Sequence, residues 1–133
     1  ESTVLILDEG FANRAVTLFG HNFSDADLAD LHDYIGAIPK PDLVIHVDLE
    51  IGASRERLRE AGRRGTVRLP TPDDTAQIRF LTEATACINA TVTSLRQRGI
   101  EVATVSGDGH PEDMARTTTE LIVESLNQQR TGT

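Results

Sequence analysis

Asp8 and Glu9 end the apolar run Thr3-Val4-Leu5-Ile6-Leu7, and Gly10 follows them. Val, Leu and Ile in an unbroken row suit a strand buried on both faces, as in a parallel sheet covered by helices. The acidic pair then falls where the strand leaves the sheet. In open α/β folds ligands bind at that carboxyl edge. A carboxylate there can hold Mg²⁺ through water or accept the proton of a reacting hydroxyl. The competing reading is a plain strand end before an acidic helix start, where Asp and Glu are favoured in any case.

Arginines form the second set. Arg55, Arg59 and Arg63 recur four apart, and Arg57 and Arg64 seven apart, so each group shares a helical stripe. Glu56 and Glu60 lie among them within ion-pair reach. A solvated, salt-bridged helix therefore explains the pattern as readily as an anion site does. Arg14 stands one helical turn after Gly10, where it can face a ligand or open solvent. Ser106-Gly107-Asp108-Gly109-His110 is a tight loop whose glycines permit close backbone approach, and a simple turn accounts for it too. His21, His32, His46 and His110 show no metal-ligand spacing. His46 reads as a core or sheet-face residue. Cys87 is the only cysteine and reads as a buried thiol within a helix. No Gly-x-Ser-x-Gly elbow is present.

These side chains need a scaffold. The 133 residues suit one α/β domain portion. Phe11 to Phe19 has helical apolar spacing, and Gly20-His21-Asn22 stops it. Ser24 and Asp27 form a capping box before the stripe Leu28, Leu31, Tyr34, Ile35 and Ile38. Pro41 to Asp48 is a second strand ending in acid. A charged helix follows at about 53–65, then a loop over 66–72. Asp73 is an N-cap for a helix reaching Arg98, and Gly99 stops it. Ile100 to Val105 is a third strand, and Pro111 opens a last helix to about Gln128. Residues 129–133 read as a frayed tail. The order βααβααβα predicts a parallel sheet with right-handed crossovers and helices on both faces.

Composition limits the functions available. A net charge of −8 argues against general nucleic-acid binding and against anionic membranes. No apolar run approaches the roughly 20 residues of a membrane span. A single cysteine fits a reducing compartment, and cytoplasm is the expected location. Apolar helix faces admit a homodimer.

Three stretches together resemble the P-loop kinases of the thymidylate kinase and deoxynucleoside kinase type. They are the strand Leu5 to Asp8 running at once into a helix; Pro41-Asp42-Leu43-Val44-Ile45-His46-Val47-Asp48 followed by Glu56-Arg57-Leu58-Arg59 and Gly62-Arg63-Arg64; and the closing helix, strand, glycine loop and helix. The resemblance covers most of the chain. It implies a P-loop NTPase-like sheet and ATP-dependent phosphoryl transfer to a small-molecule acceptor with Mg²⁺. Asp8 becomes a Walker B residue that orients the metal or acts as base, with Glu9 beside it and Arg14 facing the acceptor. Arg57, Arg59, Arg63 and Arg64 become a lid over nucleotide phosphates, and Gly107 and Asp108 border the nucleotide. The family's acid-Arg triplet is Asp-Glu here, which opens a second reading as a non-catalytic nucleotide-binding or regulatory module, or an ATPase. The G-x-x-x-x-G-K-[ST] phosphate loop is absent from this sequence. In the family its strand lies between the two acid-ended strands, so the sheet is expected to be incomplete, with an N-terminal segment of the same protein supplying the rest; the alternatives are a partner segment that fills the gap or a sheet that closes differently.

Overall fold

The computed structural model describes residues 3–63 and 74–132, with Gly62, Arg63 and Asp74 described by backbone alone. The elements are helix α1 (Phe11–Phe19), a 3₁₀ turn (Asp25–Asp27), α2 (Leu28–Ala37), strand β1 (Leu43–Asp48), α3 (Ile51–Arg63), α4 (Asp74–Gln97), β2 (Glu101–Ser106) and α5 (Pro111–Thr131). Arg64, Asp73 and the loop expected at 66–72 lie outside the described residues.

β1 and β2 pair in parallel, with Leu43 opposite Glu101 and Asp48 opposite Ser106. Helices cover both faces. Val44 and Val102 pack on the cluster that holds Leu95 of α4. Glu101, one residue from Val102 and so on the other face, accepts a hydrogen bond from Ser125 of α5 at 3.4 Å. The core is Ala15, Leu31, Ile35, Leu95 and Ile100, with Phe19, Phe23, Tyr34 and Ile38 against it. Aliphatic side chains from α1, α2 and α4 thus fill one layer.

α1 lies close against α4 because the facing residues are small. Ala15 and Cys87 are both fully buried, and the Cys87 thiol points at the Ala15 carbonyl, 3.7 Å away. Burial raises the thiol pKa, which suits the inert, packed cysteine the sequence predicts. The Ser24–Asp27 capping box also forms: the Ser24 N–H donates to Asp27 Oδ2 at 2.8 Å, and the 3₁₀ turn it caps runs directly into α2. Tyr34 meets Phe19 edge-on at 6.0 Å and donates its hydroxyl to the Phe11 carbonyl at 2.8 Å, tying α2 to α1.

The expected first strand does not form. Residues 3–7 carry no ladder hydrogen bonds, and among the described residues the sheet has two strands. Val4, Leu5, Ile6 and Leu7 are 50%, 78%, 71% and 59% exposed. Their composition favours a strand, but a strand exists only through a neighbour's donors and acceptors, and none lies alongside. The other departure is at the C-terminus. α5 continues through Thr131 instead of stopping near Gln128, and the Thr131 hydroxyl bonds back to the Gln128 carbonyl at 3.0 Å.

Candidate functional site

The carboxyl ends of the two strands meet a helix and a loop. β2 leaves the sheet at Ser106, and the chain turns at once: the Gly107 N–H donates to the Asp48 carbonyl at the end of β1 at 2.7 Å. The Asp108 N–H is taken by the Ser106 hydroxyl at 3.2 Å. Gly107 is buried there. A Cβ on it would meet the Asp48 carbonyl at 3.1 Å, Val47 at 3.2 Å and Leu49 at 3.3 Å. Glycine at this position therefore serves close packing of the loop on β1. The Gly107 carbonyl accepts from the Arg57 guanidinium of α3 at 2.5 Å. One guanidinium, a glycine main chain and the exposed Asp48 and Asp108 thus share the carboxyl edge of a parallel sheet, the edge where α/β folds take ligands.

Of the expected nucleotide-binding residues, Arg57 and Gly107 are joined by that bond, and Asp108 follows in the same loop. Arg59 is half-buried on α3. Arg63 ends α3, and its side chain, like Arg64, lies outside the description. Sequence stripes pair Arg57 with Arg64. In the structure Arg57 donates to a main-chain carbonyl 50 residues away, a contact that no local pattern signals.

Asp8, Glu9 and Arg14 form a second group at the start of α1. Asp8 and Glu9 make an exposed turn, and Glu9 has φ of 55°. A non-glycine residue in the left-handed region is uncommon and marks a site of local constraint. Gly10 then caps α1, its carbonyl accepting from the Arg14 N–H at 3.2 Å. The Arg14 side chain is exposed on that first turn. Among the described residues no hydrogen bond or ion pair joins this group to Arg57 or Gly107.

No three His, Cys, Asp or Glu side chains converge as a metal cage among the described residues. Mg²⁺ needs no such cage, since it is held by one or two carboxylates with water and phosphate oxygens. Asp8 and Glu9 offer such open, solvated oxygens. None of the helices described is long and apolar enough to cross a membrane.

The scattered histidines separate by environment. His32 Nδ1 shares a hydrogen bond of 2.7 Å with the buried Ser94 hydroxyl. His46 is half-buried on β1, as a sheet-face residue should be. His110 caps α5, with Pro111 at its first turn.

Comparison of the chain with protein-family models, with curated proteins and with solved structures finds no match.

Proposed function

We propose that this chain is the C-terminal part of a P-loop-type small-molecule kinase, transferring the γ-phosphoryl group of ATP to an acceptor hydroxyl. The observation that carries the reading is the meeting of Arg57, Gly107 and Asp48 at the carboxyl edge of parallel strands. Phosphoryl transfer asks a protein mainly for positioning and charge stabilisation. A guanidinium at the strand ends supplies the charge. Gly107 and Asp108 border the nucleotide, and Arg57, Arg59, Arg63 and Arg64 are the candidate contacts to its phosphates.

Asp8 or Glu9 takes the acceptor's proton as its oxygen bonds to the γ-phosphorus. The bond to the bridging oxygen breaks and ADP leaves. Asp8 would hold a Mg²⁺ ion through water, and the ion would supply charge neutralisation at the phosphates. Arg14 faces the acceptor.

The reading also requires a phosphate loop and a central strand, placed in residues that precede Glu1. Two features favour it. Beyond β2, β1 has an outer edge without ladder partners among the described residues. The apolar residues 4–7 stand exposed, although their composition belongs in a sheet. One strand between the two would satisfy both.

The test uses the protein with its preceding segment and follows ADP release with and without candidate acceptors. Acceptor-dependent release should appear, and Asp8→Asn should lower turnover by about a hundredfold or more with little change in ATP affinity. Unchanged turnover in that variant rejects the catalytic assignment. A second reading rests on Glu9, which stands where the resembling kinases carry Arg. It makes the protein a nucleotide-binding regulatory module or ATPase. ATP binding without acceptor-dependent turnover favours that reading.

A further inference from the structure

At the opposite edge of the sheet lies a cleft of about 490 Å³ with a distinct chemistry. It sits where Lys40 leads towards β1 and Arg98 towards β2. His32, Gly36, Lys40, Gln97 and Arg98 line it, over a floor of Ile35, Ile38 and Ile100. Among the described residues no carboxylate side chain lines it. That is notable in a chain of net charge −8, whose sole lysine is Lys40.

Arg98 is held by the fold. The Arg98 guanidinium lies against the backbone of Gly36, where any Cβ would collide with it. Its Nη2 donates to the His32 carbonyl at 2.8 Å. His32 in turn is fixed by the Ser94 hydroxyl. One Arg98 nitrogen is thus used on α2, and Arg98 and Lys40 line the same cleft. A planar fork next to an ammonium recognises phosphate oxygens, the fork by paired hydrogen bonds and the ammonium as a point charge. The volume suits a small ligand.

We propose that this cleft binds a small polyphosphate-type anion, at a site separate from the Arg57–Gly107 edge. The carbonyl ends of α2 and α4 face the same region and disfavour an anion. Two full cations outweigh them, because helix ends carry only about half a charge each.

The test is a titration of the chain with inorganic pyrophosphate at constant ionic strength, read by amide and imidazole NMR shifts. Saturable shifts are expected at His32, Gly36 and Arg98. Lys40→Gln should weaken binding by about fivefold or more, as loss of a charge-assisted contact does. Gly36→Ala is the second variant. It suits a helix interior and displaces Arg98, so the fold should persist while affinity falls. Shifts that do not saturate overturn the proposal. So do shifts confined to Gly107 and Asp108, which leave the kinase reading standing, and variants that bind like the parent. Citrate binding as tightly as pyrophosphate overturns the phosphate assignment.

Discussion

Gly107 has little room for a side chain, and the consequence is measurable. Gly107→Ala places a methyl 3.1 Å from the Asp48 carbonyl, on which the Gly107 amide also depends. The strand end has to give, so a loss of about 1–2 kcal/mol is expected in urea denaturation. A neutral result would show that the loop is not packed on β1 as described. Glu83 offers a titration instead. Arg79 Nε donates to its Oε1 at 2.9 Å and the Asn22 N–H to its Oε2 at 2.9 Å. Chiefly the Arg79 hydrogen bond, against an opposing desolvation and aided by Asn22 and by the charges of Arg79 and His21, holds the carboxyl below its ordinary 4.5. A carboxylate depressed on folding contributes stability above its unfolded pKa and loses it as pH falls through the folded one. The Glu83 carboxyl carbon should therefore titrate by NMR with a midpoint below 4.5. Glu83→Gln should make stability less sensitive to pH in that acid range, and a midpoint at or above 4.5 refutes the pairing. Contacts of this kind were hidden in the sequence. Nothing near Glu83 points to Asn22, 61 residues away, and nothing near Arg98 points to Gly36.

Elements were far more legible. Apolar spacing marked α1, α2 and α4, the Ser24–Asp27 pair marked the entry to α2, and β-branched runs marked β1 and β2. These signals are local, and the tertiary structure agrees with them. Layering followed because strands alternating with helices leave few arrangements. What holds the layer is the α4 seam. Leu95 is 1% exposed and touches the cluster shared by α1, α2 and the sheet. Leu95→Ala should cost about 2–5 kcal/mol, the range set by how far a cavity collapses. Chemical denaturation measures it. A loss below about 1 kcal/mol would mean that the helices repack freely around the vacancy.

The run at residues 3–7 misled because whether an apolar extended segment becomes a strand is decided by the whole molecule. Its sequence carries the strand preference, but the pairing partner does not lie beside it. Apolar side chains left in water and an open sheet edge both invite association. A two-stranded sheet with helices can persist, yet the outer edge of β1 retains donors and acceptors facing outward on alternate residues. Two results follow for the chain alone. Alternate β1 amides, those turned away from β2, should exchange with solvent at rates near those of residues 4–7, while their neighbours are protected. The chain should also self-associate at high concentration, and Ile6→Lys should reduce this by placing a charge in the exposed run. Sedimentation velocity across a concentration series measures the second effect. Uniform protection along β1, or association indifferent to Ile6→Lys, would show that the edge is already covered. If the missing strand proposed above is supplied, by a longer chain carrying the preceding segment, residues 4–7 and the outer β1 amides should become protected together. Protection of one without the other would place the added segment outside the gap and separate the completeness of the sheet from the kinase reading.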